Sequence, residues 1–106
     1  MDDRLDRTAT APLLLFAKLV TQNGSDPVIR AFFPTNYDES QLHIVKKYAF
    51  PFDLSKGIAG LLPTETFTFM ITRENGKYNF GYCLIENNFA KNESVVYCIL
   101  RYKIHI

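Results

Sequence analysis

One stretch constrains the fold more tightly than any other. Residues 66–73 and 78–85 are two runs rich in β-branched and aromatic side chains, and they flank Glu74-Asn75-Gly76-Lys77. An Asn-Gly pair tolerates positive φ at both positions, which is what a two-residue type I′ hairpin requires. That turn predicts Glu74 opposite Lys77, Ile71 opposite Phe80, Phe69 opposite Tyr82 and Phe67 opposite Leu84. In this register one face of the ribbon is strongly aromatic. The other collects Thr68, Met70, Thr72, Cys83 and Ile85.

The flanking segments extend the same pattern. Residues 13–21 read as a strand that ends in the turn formers Gln22-Asn23-Gly24-Ser25-Asp26. Residues 27–33 are a second extended run stopped by Pro34, so the two predict an antiparallel hairpin across Asn23-Gly24. Asp38 is placed to cap a short helix running through Tyr48, with Leu42, Ile44 and Val45 on its apolar side. Pro51 closes that segment, because the residue before a proline avoids the helical region. Residues 53–63 hold Gly57, Gly60 and Pro63 and read as a loop. A polar loop, residues 87–93, leads into a last strand, residues 94–104. The run from Val95 to Leu100 lacks strict apolar–polar alternation, which suggests cover on both faces.

The chain has 106 residues, enough for one domain with a thin core, and residues 1–10 show no periodicity and read as a flexible tail. Residues 11–106 then form one small α+β domain, a five-stranded antiparallel sheet with one short helix. Nine Phe, six Tyr and no Trp fit a strand-rich fold. A single short helix cannot cover both faces of such a sheet. Either an apolar face is open, or elements that follow complete the domain.

Charge and patterning exclude several classes of function. The net charge is +1 and Lys46-Lys47 is the only adjacent basic pair, so no basic field exists to hold a phosphate backbone. The longest apolar run, residues 11–17, is interrupted by Pro12 and falls far short of the roughly 20 residues that span a bilayer. Residues 1–7 mix charges of both signs where a signal peptide needs a basic end and then an apolar block. A cytoplasmic chain is expected.

A search for chemistry finds little. No phosphate-cradling glycine motif and no nucleophile elbow occurs, and Ser25, Ser40, Ser55 and Ser94 sit in polar surroundings. The acid pairs Asp2/Asp3 and Asp38/Glu39 read as solvated, with nothing to raise a carboxyl pKa. His43 reads as a surface residue of the helix and His105 as part of the chain end. Cys83 and Cys98 could form a disulfide or half of a metal site. They share no metal-ligand spacing with each other or with His43 and His105, and read as buried thiols. The triplets Asn23-Gly24-Ser25 and Asn92-Glu93-Ser94 fit the glycosylation pattern but lack a secretory context. Arg30 and Arg101 interrupt apolar strands; either could act as an arginine finger toward a GTPase, and the simpler reading is an outward-facing side chain on a half-buried strand. No catalytic, metal-binding or cofactor-binding residue is assigned, and a binding module rather than an enzyme is expected.

Several segments occur in a telling order: Asp26-Pro-Val-Ile-Arg-Ala-Phe-Phe-Pro34, Tyr48-Ala-Phe-Pro-Phe-Asp53, Glu65-Thr-Phe-Thr-Phe-Met-Ile-Thr-Arg73, Tyr78-Asn-Phe-Gly-Tyr-Cys83 and Cys98-Ile-Leu100. Together, over about residues 13–104, they resemble the upstream region of DENN-domain proteins, most closely the connecdenn branch. The resemblance implies a longin-like fold and a place in an exchange factor for Rab-family small GTPases. In such factors the longin-like module and a larger downstream DENN module grip the GTPase switch regions between them. It further implies no cofactor, no exchange by this part alone, and a role in vesicle or endosomal traffic with membranes reached only through partners. The family continues past the last strand with helices that complete the longin fold, so the module is expected to be incomplete at its C-terminus. Residues 55–64 are more apolar than is usual in the branch. Pro51, Phe52, Gly81 and Cys83 match motif positions that read as structural, and no GTPase-binding residue is assigned. The alternative is a longin-type scaffold or adaptor-binding module in membrane traffic without exchange activity.

Overall fold

Both expected hairpins and the helix form. The computed structural model describes residues 13–50, 61–73 and 77–104. The expected tail at residues 1–10, most of the loop at 53–63 and the turn tip at 74–76 lie outside the described residues. β1 (Leu13–Gln22) pairs antiparallel with β2 (Val28–Phe33). Asn23 and Gly24 between them have φ of 53° and 72°, and the Ser25 amide donates to the Gln22 carbonyl at 3.0 Å. Two successive positive φ values make a type I′ turn, the conformation an Asn-Gly pair favours.

α1 (Glu39–Tyr48) starts where the sequence expects it to. The Asp38 carboxylate accepts from the Ser40 amide at 2.9 Å, satisfying one donor that the first turn leaves open. Glu39 in the first turn and Lys46 and Lys47 in the last complement the helix dipole. Leu42 and Val45 are buried in the core, and Ile44 packs at its margin.

β3 (Thr64–Thr72), β4 (Lys77–Asn88) and β5 (Glu93–Ile104) complete a sheet of order β2-β1-β5-β4-β3, with every pair antiparallel. This is the expected small α+β domain, and its element order is consistent with a longin-like fold. The pairing of β1 with β5 joins the two hairpins into one sheet. Leu15, Ala17 and Leu19 of β1 and Val96, Cys98 and Leu100 of β5 then form a fully buried row beneath the helix.

Two local readings change. β4 runs to Asn88, through residues whose polarity suggested the start of a loop. Asn87 is buried and fully partnered: its side-chain amide donates to the Leu62 carbonyl at 2.7 Å, its amide N–H donates to the Pro63 carbonyl at 2.8 Å, and its Oδ1 accepts from Ser94 Oγ. Those bonds make a polar side chain affordable inside the sheet.

The second change is the register of the β3–β4 ribbon. Phe69 lies opposite Gly81, Ile71 opposite Asn79 and Phe67 opposite Cys83, one residue away from the register a two-residue turn would give. The Arg73 amide donates to the Lys77 carbonyl, so this bonded pair is separated by three positions rather than two. A one-residue slip moves a whole strand's side chains to the other face. Phe67, Phe69 and Ile71 therefore share the helix side with Cys83 and Ile85, while Phe80, Tyr82 and Leu84 join Thr66, Thr68 and Met70 on the opposite side.

Gly81 explains why this register wins. A Cβ built there would meet the Phe69 ring, with its Cζ at 2.4 Å, so the ring sits directly over the glycine. The same ring stacks on Tyr48 at the end of α1, with centroids 5.6 Å apart and planes 17° from parallel. Gly81→Ala is expected to destabilise the fold by about 1–3 kcal/mol, because the ring can yield only by leaving Tyr48. Urea unfolding of the variant measures this, and pairing it with Phe69→Leu should recover part of the loss.

Candidate protein-interaction face

The sheet has two unlike sides. On the helix side, alternate residues of β1, β4 and β5 are buried. On the other side, the registers place Phe33, Phe16, Ile99, Tyr82 and Thr68 in one row running across all five strands. A second row holds Ala31, Lys18, Tyr97, Leu84 and Thr66. Among the described residues, no helix packs on this side. Phe16, Tyr97, Ile99 and Leu84 are half-buried by their strand neighbours, and Phe33, Met70 and Tyr82 are exposed. The last strand was expected to be covered on both faces. Among the described residues one face is covered by the helix, and the apolar run in β5 is the outcome of a buried face alternating with this half-buried one.

The result is a shallow, open concavity lined by Phe16, Thr66, Thr68, Tyr82, Leu84, Tyr97 and Ile99. Phe80 and Tyr82 contact each other along it, with centroids 4.9 Å apart. Its charges are few. Lys18 Nζ lies 5.8 Å from the Tyr97 ring centroid, a cation–π contact that keeps the ammonium near the surface while its stem covers the sheet. Arg101 pairs across the strands with Leu13 and Phe80 and is half-buried, and Glu86 sits at the β3 end opposite Val95. A contiguous apolar face of this kind suits a protein surface better than a small molecule, because nothing in it converges on a ligand.

The side chains that the sequence offered as candidates are dispersed by the fold. Arg30 is exposed on the edge strand β2, and Arg101 is on the central strand β5. His43 is exposed on α1, and Ser94 is buried and donates to Asn87. Asp38 and Ser40 are spent on the helix cap. Asp2, Asp3, Ser55 and His105 lie outside the described residues. Among the described residues, no three His, Cys, Asp or Glu side chains cluster closely enough to hold a metal ion, and no helix is long and apolar enough to cross a membrane.

Cys83 and Cys98 are both free and buried, and the β4–β5 register places them directly opposite each other, a proximity their sequence spacing did not reveal. Hydrogen bonding to Cys98, together with burial, pushes the Cys83 thiol well above its ordinary 9.0. Burial likewise raises Tyr37 above its ordinary 10.0. The residues of the open face carried only a partial signal in the sequence. Tyr82 and Leu84 were visible in the hairpin, but Phe16, Phe33, Tyr97 and Ile99 join them only through the β1–β5 pairing.

Fold and face together define a one-helix, five-strand sheet domain of longin-like form that presents an apolar side. Comparison with known proteins finds relatives by sequence. The chain is 31% identical to DENN domain-containing protein 1B of Homo sapiens over 94 residues, covering 88% of this chain and 12% of that protein. It is 33% identical to DENN domain-containing protein 1A of Xenopus laevis over 78 residues, covering 73% of this chain and 7% of that one. It is 30% identical to DENN domain-containing protein 2C of Mus musculus over 88 residues, covering 73% of this chain and 10% of that protein. No family model matches the chain. The matches support a relationship to the DENN family, and the chain spans only about an eighth of the 1B protein.

Two expectations follow. Leu100→Ala, on the buried side, should cost about 2–5 kcal/mol, whereas Met70→Ser, on the open side, should change stability by less than about 0.5 kcal/mol in denaturant titrations. The raised Cys83 thiol also makes stability fall as pH rises past its ordinary 9.0, because the unfolded chain then releases a proton that the folded chain keeps. Tyr37 adds to the loss, with the same sign, above its ordinary 10.0. Unfolding midpoints compared at mildly and strongly alkaline pH should show the decline, and Cys83→Ala should make it shallower.

Proposed function

We propose that this chain is the upstream, longin-like module of a DENN-domain guanine-nucleotide exchange factor, of the connecdenn-like branch, acting on Rab-type small GTPases in vesicle and endosomal traffic. The observation that carries the reading is the sequence match to DENN domain-containing proteins across most of the described sheet. The open apolar face supports it, since a module of this kind works by pressing on protein rather than by reacting with substrate.

Exchange of this type needs no covalent step. A factor accelerates nucleotide release by binding the nucleotide-free GTPase more tightly than the loaded form, and the gain equals that difference in affinity. A five-strand sheet packed against α1 provides a firm frame whose edges and loops can make such differential contacts. One small module grips only part of the GTPase, so a downstream DENN module, in the same chain or supplied as a partner, contributes the other half. Recruitment to membranes then comes through partners.

Release of a fluorescent guanine nucleotide from a panel of Rab GTPases tests the proposal, using this chain alone and joined to a downstream DENN module. Little acceleration is expected from the chain alone, and strong acceleration of at least one Rab when the two are joined. Full exchange by the chain alone would refute the need for a second half. If neither form accelerates any Rab, the scaffold reading replaces this one.

A further inference from the structure

We propose that Cys83 and Cys98 are an oxidisable dithiol that closes to a cross-strand disulfide when the chain meets hydrogen peroxide. The inference is independent of any role in nucleotide exchange. The two residues are directly opposed on β4 and β5, and the pairs on either side, Tyr82 with Ile99 and Leu84 with Tyr97, keep the same unbroken register. Both cysteines are free, and they are 4% and 0% exposed.

Directly opposed residues of an antiparallel pair have Cα atoms roughly 4.5–5.5 Å apart. Disulfides span Cα separations of roughly 4.4–6.8 Å, so the backbone already meets the requirement. The Cβ atoms, about 4.5–5.5 Å apart in such pairs, need to approach to about 3.5–4.5 Å, a movement of about an ångström. The bond would tie β4 to β5 beneath α1.

Burial selects the oxidant. A peptide-sized disulfide cannot reach these sulfurs without opening the sheet, whereas hydrogen peroxide is close to water in size. One thiol gives its proton to solvent, and the thiolate attacks the peroxide O–O bond. An S–O bond forms, the O–O bond breaks, and the departing hydroxide takes up a proton to become water. The opposed sulfur then attacks the resulting sulfenic sulfur: the S–S bond forms, the S–O bond breaks, and hydroxide leaves with the second thiol's proton as another water. In sum, two thiols and one peroxide give a disulfide and two waters, with both electrons passing from the sulfurs to the peroxide oxygens. The protonated, shielded state of the thiols makes the first step slow, while the facing sulfur makes the second step faster than further oxidation.

The test uses the reduced, folded chain treated with hydrogen peroxide near neutral pH, then unfolded in iodoacetamide and read by intact mass and non-reducing peptide mapping. Both alkylatable thiols should be lost, with the mass falling by two hydrogens, a Cys83–Cys98 linked peptide appearing, and dithiothreitol restoring both thiols. Cys83→Ser and Cys98→Ser should each yield no internal link. The proposal is overturned if the wild-type chain remains fully alkylated, if its cysteines gain oxygen without linking, or if only chain-to-chain disulfides form. Because the decisive reading comes from the wild-type chain, it does not depend on how well either variant folds.

Discussion

The seat of the Phe69 ring on Gly81 is the contact on which the arrangement of the sheet turns. A glycine in the middle of a strand weakens it unless something fills the missing side chain's place. Here the ring of the opposed residue fills it, and the space is available at that position of β4 and not at its neighbours. The same ring stacks on Tyr48, so one aromatic side chain fixes the register of β3 against β4 and also holds the end of α1 against the sheet. Because strand side chains alternate, fixing the register also decides which aromatics enter the core and which remain on the open side.

The second constraint is long-range. β1 and β5 lie some eighty positions apart in sequence, yet their pairing makes the centre of the sheet. It brings Leu15, Ala17 and Leu19 against Val96, Cys98 and Leu100 under the helix, and it aligns Phe16 and Lys18 with Ile99 and Tyr97 on the other side. Core and candidate interface are thus two products of one pairing. A substitution that disturbs the buried row would be expected to reach the open face through the backbone, which is why the two sides need separate probes.

What was legible in the sequence follows from the range of the forces involved. The Asn23-Gly24 turn, the Asp38 cap and the strand and helix identities rest on local propensity and hydrogen bonding, and each appears as expected. The β3–β4 ribbon was legible as a hairpin but not in register, because a local preference for a two-residue turn lost to the packing of Phe69 over Gly81. The polar end of β4 was hidden for a similar reason. Asn87 looks like a loop residue until Leu62, Pro63 and Ser94 satisfy its hydrogen bonds. The facing of Cys83 and Cys98 depends on register alone, and nothing in their spacing shows it.

The open face also bears on how such a module acts. Its half-buried Phe16, Tyr97, Ile99 and Leu84 offer area whose removal from water is favourable and largely insensitive to direction. Its few charges, Lys18 over Tyr97 and Arg101 beside Phe80, add direction at little cost while they remain near the surface. Apolar area of this kind stabilises any well-shaped cover, so by itself it cannot discriminate between two states of one partner. Discrimination must come from polar groups that one state satisfies and the other leaves unpaired. On the function proposed above, which works only through a difference in affinity, the apolar side of the sheet would be better suited to holding the module's own assembly together, and contacts that sense the nucleotide state would be expected at its edges and loops.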